Sequence, residues 1–291
     1  MRVLIFGGAG MLGHKLWQGL RRRCDVYLTV RRESSYYGRF DLFDPDYLMG
    51  GIDVRRTEDI IAAFAWARPD VVVNAVGIIK QVKGSEDPLL SLEVNSLFPH
   101  RLALVCRARG ARLIHFSTDC VFSGKDGRYT EESISDTSDL YGRTKYLGEI
   151  QGAWALTLRT SMIGREIETR LGLVEWFLAQ KKGQCRGFSR AIFSGLTTQA
   201  LTDVVADLIA KYPDVSGLYH LSADPISKYD LLQIINEVYG AGVTIERDAE
   251  FTCDRSLDST RFRKVTGWRP EPWRDMIVRM SQDQTPYGMW G

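Results

Sequence analysis

The 291-residue chain has little of what would commit it to a membrane, a disulfide framework or a polyanion. Its first apolar run, Val3 to Phe6, is broken by glycines well short of a signal-peptide core or a bilayer span, so no membrane role is expected. The five cysteines (Cys24, Cys106, Cys120, Cys185, Cys253) are odd in number, widely spaced and form no C-x-x-C pair. That pattern predicts reduced thiols, a cytoplasmic location and no cysteine-held metal. The four histidines, His14, His100, His115 and His220, have no ligand spacing, so no metal site is expected; His115, within a strand, reads as a satisfied core residue. With 38 basic and 36 acidic residues the formal charge is +2, which excludes the one-signed field of a nucleic-acid binder. Internal repeats, low-complexity tracts and heptads are also missing.

What is present suits a soluble globular protein: 44% hydrophobic and 25% charged residues, in a chain long enough for one large or two smaller domains. Arg2 to Phe6 reads as a buried strand, followed by Gly7-Gly8-Ala9-Gly10-Met11-Leu12-Gly13 and a helix through about Arg22. Strand, glycine turn and helix form the context of a dinucleotide phosphate site, where the backbone approaches a pyrophosphate at a helix N-terminus. The spacing is G-x-x-G-x-x-G.

A second strand, Asp25 to Val30, ends in Arg31-Arg32. Arginine there suits a 2′-phosphate, favouring NADPH with NADH as the alternative; two solvated arginines beside Glu33 are the plainer reading. Residues 34 to 51 read as a long surface loop. Asp53-Val54 precedes a helix, Thr57 to Ala67, and Asp53 reads either as a turn cap or as an acceptor for an adenine amino group. The strand Pro69 to Val76 brings Asn74-Ala75-Val76-Gly77 to its end, where small residues allow close approach. Glu86 to Arg109 reads as one long helix containing Asn95, either a structural amide or part of a proton relay.

The strand Arg112 to Ser117 leads into Thr118-Asp119, and Tyr141 is followed four residues later by Lys145. On a helix those two share a face. A fixed cation beside a phenol lowers its pKa from about 10, making a tunable proton donor, and a nearby hydroxyl could hold a carbonyl oxygen. The alternating β and α segments predict a doubly wound, parallel (Rossmann) α/β sheet with Gly10, Gly77 and Thr118 at its carboxyl ends.

The set Gly7-x-x-Gly10-x-x-Gly13, Asn74-Ala75, Ser117-Thr118-Asp119, Tyr141-Gly142-Arg143-Thr144-Lys145 and Leu158-Arg159-Thr160-Ser161 resembles the extended short-chain dehydrogenase/reductases. Within them it most resembles the dTDP-4-dehydrorhamnose reductase family, from Met1 to roughly Met280. The resemblance implies an NADPH-dependent reduction of a nucleotide-sugar 4-ketone. Tyr141 would be the proton donor, Lys145 the holder of the nicotinamide ribose and Thr118 the partner of the ketone oxygen. It implies that Asp119 touches the sugar, that Gly7, Gly10, Met11, Leu12 and Gly13 form the pyrophosphate turn, and that Asp53, Val54, Ala75, Val76 and Gly77 line the cofactor. The chain departs from the family at Cys120, usually tyrosine, at Met162, usually a substrate-facing tryptophan, and at Leu196, commonly proline. These departures leave room for a UDP-linked N-acetylated sugar.

In the second half, Trp154 to Ile163 and Gly217 to Leu221 read as strands of the main sheet, and Leu171 to Lys181 and Thr198 to Lys211 as helices. Ser227 to Gly240 is a helix capped by Ser227, Val243 to Arg247 a short strand, and Asp258 to Lys264 a basic helix. The division expected is a dinucleotide-binding domain over 1–162, joined again by 196–222, and a smaller, discontinuous α+β substrate domain mainly within 163–291. Arg165, Arg190, Arg255 and Arg261 are candidates for a nucleotide diphosphate or simply solvated. The tail, Gln282 to Gly291, has no helical pattern, and a homodimer is left open. The other functional readings are a non-catalytic dinucleotide-binding regulator, like the regulatory subunit of methionine adenosyltransferase, and a nucleotide-sugar epimerase or dehydratase.

Overall fold

The computed structural model describes residues 1–81 and 84–287. In chain order the elements begin β1 (Arg2–Phe6), α1 (Gly13–Leu20), β2 (Asp25–Thr29), α2 (Ser34–Tyr37), β3 (Leu48–Met49), α3 (Thr57–Ala67) and β4 (Val71–Asn74). They continue with α4 (Pro88–Leu92), α5 (Phe98–Arg109), β5 (Arg112–Ser117), α6 (Leu140–Leu147), β6 (Ala155–Arg159) and β7 (Met162–Ile163). Then follow α7 (Leu173–Ala179), β8 (Gln184–Phe193), β9 (Leu196–Thr197), α8 (Thr198–Ala210) and β10 (Gly217–His220). The last are β11 (Ile226–Ser227), α9 (Lys228–Tyr239), β12 (Thr244–Asp254), α10 (Thr260–Thr266) and α11 (Trp273–Ser281).

Among the described residues seven strands form one sheet in the order β10-β6-β5-β4-β1-β2-β3, and every pairing is parallel. Alternation along β1 explains why the sheet is covered on both sides: Val3 and Ile5 enter a core shared with α1 and α8, while Leu4 and Phe6 enter one shared with α3 and α5. A three-stranded mixed sheet, β11-β8-β12, stands apart, with β8 parallel to β12 and antiparallel to β11. Leu231, Leu232 and Ile235 of α9 and Met276, Ile277 and Met280 of α11 join this part to the main core.

Several expectations change. Residues 34 to 51 are not a bare surface loop: Tyr37, Phe40 and Leu48 are buried, and Leu48–Met49 is the edge strand beside β2. The helix expected over 86 to 109, with its start at Pro88 and its stop at Gly110, keeps both ends but contains a π-helical turn, Glu93–Leu97, between α4 and α5. The strand expected over 154 to 163 divides: Ala155–Arg159 stays in the main sheet, while Met162–Ile163 pairs with β9. The strand expected over 243 to 247 runs on to Asp254 because β8, unanticipated, lies alongside it. Of the tail, residues 282 to 287 fold onto α1, while Gly288, Trp290 and the rest of 288–291 lie outside the described residues.

Candidate active site

β1, β4 and β5 are neighbours in the sheet, so the segments leaving their carboxyl ends meet. After β1 the chain turns sharply at Gly7, whose φ of +87 an L side chain rarely adopts. Helix α1 then lies directly on the turn: a Cβ on Gly13 would stand 2.0 Å from the Gly7 carbonyl oxygen. A Cβ on Gly10, by contrast, would meet only that carbonyl, at 3.3 Å, so the mouth of the turn is open. Among the described residues no side chain caps the start of α1 at Leu12, which leaves the N–H groups ahead of His14, whose own N–H bonds the Gly10 carbonyl, for an anion. An open glycine mouth at an uncapped helix start fits the diphosphate of a dinucleotide.

Behind this turn stands the segment after β4. Asn74 accepts from the Val76 N–H (3.0 Å) and donates to His115 Nδ1 (3.1 Å), fixing Ala75 and Val76 against Gly7. Among the described residues His115 Nε2 has no partner, so the histidine is only half satisfied, and burial holds its pKa well below the ordinary value. Asn95, in the π-helical turn, accepts from the Ile78 N–H (2.9 Å) and donates to the Ile78 carbonyl (3.0 Å) and to Thr144 Oγ1 (3.3 Å). Its side chain therefore acts as a structural amide joining the loop at Gly77 to α6. The C-terminal end of α6 closes onto the same turn because Gly148 has no Cβ; one built there would lie 1.9 Å from the Asn95 carbonyl oxygen.

α6 carries Tyr141 and Lys145 on one face. Asp139 starts it by accepting from the Gly142 N–H (2.8 Å). The half-buried Tyr141 phenol reaches the Thr118 hydroxyl. Thr118 in turn accepts from the Cys120 N–H and donates to Asp119, each at 3.1 Å, so its oxygen is held in place. Lys145 is buried; its ammonium donates to the Phe116 carbonyl (2.6 Å) and faces Gly77. Burial lowers its pKa to about 8, which keeps it mostly charged at neutral pH.

The tyrosine departs from expectation. Burial pushes the phenol up, with the Cys120 thiol, Asp119 and Asp139 adding to the shift against the Thr118 hydrogen bond. The lowering expected from Lys145 does not decide the direction, and Tyr141 stands as a neutral, proton-carrying phenol.

Three groups at this site were not singled out for it from the sequence. Lys80 bonds Asp139 (2.9 Å) and lies 5.9 Å from the Tyr141 ring centre. Asp139 stands two residues before Tyr141, at the start of α6. Arg255, one of the four arginines considered, donates to the Phe122 carbonyl (2.9 Å) and to Cys120 Sγ (3.4 Å). Asp119 is buried, which raises its pKa, and Arg255 opposes that rise. Burial likewise pushes Cys120 up to about 12, so it is a thiol.

The other expected residues are more peripheral. Arg32 stacks on the Tyr36 ring at 4.1 Å, whereas Arg31, also exposed, lies near enough to Asp53 to help lower its pKa. Asp53 is bound by Arg55, which holds it at about 2, and also accepts from the Arg55 N–H, the geometry of a turn cap. Val54 is half-buried, and Met162 packs partly buried beside Leu196. Arg165 is paired with Glu175 (2.5 Å), Arg261 lies at the surface near Glu132, and Arg190 is exposed on β8. Among the described residues no cluster of His, Cys, Asp or Glu could hold a metal ion, and no helix is long and apolar enough to cross a membrane.

A parallel sheet wound in both directions, with a glycine turn behind its first strand, defines a doubly wound dinucleotide-fold protein. Within that class the chain belongs to the family described as RmlD substrate binding domain, whose model matches residues 1–285. A relative from Streptomyces antibioticus, named a probable dTDP-4,6-dihydroxy-2-methyloxan-3-one 4-ketoreductase, is 30% identical over 95% of this chain and 93% of its own. The dTDP-4-dehydrorhamnose reductase of Escherichia coli (strain K12) is 27% identical over 84% of this chain and 81% of its own. The crystal structure of dTDP-4-dehydrorhamnose reductase from Bacillus anthracis, in complex with NADP, matches with a TM-score of 0.80 at 19% identity. That match covers 96% of this chain and 98% of the other, and it speaks to the fold.

Proposed function

We propose that this protein reduces the C4 ketone of a nucleotide-linked 6-deoxysugar with NADPH, in the cytoplasm, as a step toward surface polysaccharide. The observation that carries the reading is Tyr141 standing on the same helix face as the buried Lys145 ammonium, beside a Thr118 hydroxyl held in place by Asp119 and the Cys120 N–H. The names of the relatives, a 4-ketoreductase and a dehydrorhamnose reductase, agree with it.

When bound, NADPH would supply the hydride for the ketone carbon. Thr118 would turn its one hydroxyl proton from Asp119 to the ketone oxygen when the sugar binds, and Tyr141 would give that oxygen its proton, which the raised pKa keeps on the phenol until then. Lys145 holds the cofactor ribose. Gly7, Gly10, Met11, Leu12 and Gly13 take the pyrophosphate, while Asp53, Val54, Ala75, Val76 and Gly77 line the rest of the cofactor site. Asp119 and Met162 face the sugar. Residues 1–162 with 196–222 form the cofactor domain in this reading, and the remainder of 163–291 mainly the substrate domain; a homodimer is compatible with it.

The test is to incubate the protein with NADPH and a panel of dTDP- and UDP-linked 4-keto sugars, following loss of reduced-nicotinamide absorbance. Turnover of one of them is the expected result. Oxidation of NADPH by none of them, with the sugars recovered unchanged, would overturn the reading. Cys120 and Met162, where bulkier aromatics are usual in the family, make the UDP-linked N-acetylated sugars the second choice within it. A purely regulatory dinucleotide binder is disfavoured because it has no use for a buried ammonium and a positioned phenol.

Arg31→Ala is expected to weaken NADPH about tenfold and leave NADH nearly unchanged, the loss of one charge-assisted contact to a 2′-phosphate. Arg32→Ala should do less, since its guanidinium is already stacked on Tyr36. Titrations in which Arg31→Ala weakens both cofactors equally would remove the phosphate argument.

A further inference from the structure

The segment that follows α11 crosses the start of α1 and reaches the glycine turn from behind. Asp283 forms an ion pair with Lys15, both side chains being less than a tenth exposed, and accepts from Gln199 (3.2 Å). Thr285 accepts from Gln18 (2.8 Å). Tyr287 is buried; Arg165 lies 4.7 Å over its ring, and its hydroxyl is 2.9 Å from His14 Nε2 and 2.8 Å from Asp283 Oδ2. His14 is fully buried, and its Nδ1 is 2.8 Å from the carbonyl oxygen of Gly10.

The Gly10 carbonyl can only accept, so Nδ1 carries the imidazole proton and Nε2 is left to accept from Tyr287. The one phenol proton has two acceptors in reach, Asp283 Oδ2 at 2.8 Å and His14 Nε2 at 2.9 Å, so the hydroxyl ties His14 to the C-terminal segment. A continuous line of hydrogen bonds then runs from the C-terminal segment to the middle glycine of the turn.

The peptide joining Gly10 to Met11 is planar, and in a trans peptide the C=O and N–H point in opposite directions. Among the described residues no peptide bond is cis. The Gly10 carbonyl is drawn back by the His14 side chain and also by the His14 backbone N–H at 3.2 Å. The Met11 N–H is thereby turned toward the open mouth, where an anion at the helix start would sit.

We propose that His14 and Tyr287 are positioning residues for the cofactor diphosphate, and that residues 283–287 act as a strap locking the Gly10–Met11 peptide in its anion-facing orientation. The inference rests on the dinucleotide reading given above. It assigns the strap to the cofactor site although the strap lies almost at the other end of the chain.

Tyr287→Phe keeps the ring under Arg165 and removes only the hydroxyl. NADPH affinity, measured by calorimetry, is expected to fall about three- to tenfold, the loss of one hydrogen bond in the line. Adenosine 2′-monophosphate, which lacks the diphosphate, should bind the variant and the parent alike, a selectivity that general loosening of the fold would not give. A chain ending at Gln282, checked for folding by circular dichroism, should show the same selective loss. Unchanged NADPH affinity in folded Tyr287→Phe, or equal weakening of both ligands, would overturn the strap alone. A parent protein that binds no NADPH would overturn the dinucleotide reading and the strap with it.

Discussion

Tyr141→Phe is expected to lower turnover at least about a hundredfold while NADPH still binds, as loss of a general acid should. The substitution removes one oxygen and leaves the ring beside Lys80. Thr118 keeps its bonds to Asp119 and the Cys120 N–H, so the change falls on proton delivery rather than on the shape of the site. Single-turnover absorbance with saturating NADPH measures it, and a rate within a few fold of the parent would reject the assignment. The NADPH affinity of the parent, measured by titration, should fall as the pH rises past about 8, where Lys145 gives up the charge with which it would hold the cofactor ribose.

Glu149→Gln should destabilise the fold by about 3–5 kcal/mol, the typical result of leaving one member of a buried ion pair alone. Glu149 binds Arg159 through both oxygens, at 2.7 and 2.8 Å, with the two side chains 5% and 4% exposed. It also accepts from the Ser117 hydroxyl at 2.6 Å. Among the described residues the alternatives for Arg159 are weak: a 3.3 Å approach to His220 and the faces of Phe122 at 5.3 Å and Tyr146 at 6.0 Å. Urea unfolding of the two proteins gives the difference, and a change under about 1 kcal/mol would mean that the arginine finds another counter-charge or water. Because Ser117 precedes Thr118, a second effect is expected at the Thr118 hydroxyl, to which the proposed function gives the ketone oxygen, visible as slower turnover in the protein that remains folded.

The parts of the fold that could be read from sequence are those fixed by local chemistry. Gly110, Gly240 and Gly267 end α5, α9 and α10 in the left-handed conformation, with φ of 68, 59 and 67, and Ser227 caps α9 through the Asp230 N–H. The order strand, glycine turn, helix carried the position of the glycine turn, and the i, i+4 spacing carried the shared face of Tyr141 and Lys145. β8 escaped notice because Arg186 and Arg190 alternate with buried Cys185 and Ala191 around Gly187, a pattern with little β signature until β12 lies alongside. The two-residue β3 is too short to show any period. Arg255 reaches Cys120 across 135 positions and Tyr287 reaches His14 across 273, separations that no local pattern encodes. The direction of the tyrosine shift was hidden for a similar reason: it depends on how much water the packed site excludes, which spacing alone does not report.

The wide turn at Glu93–Leu97 has one more consequence. An α-helix advances about 100° per residue, so a single extra residue in one turn resets the angular phase of everything after it. Were that residue absent, α5 could keep its apolar side on the sheet only if α4 swung away by roughly a quarter of a circle, or Asn95 would rotate off Ile78 and Thr144. The irregularity thus works as a gear offset, letting one continuous rod satisfy the hydrophobic interior at its far end and the cofactor loop at its near end.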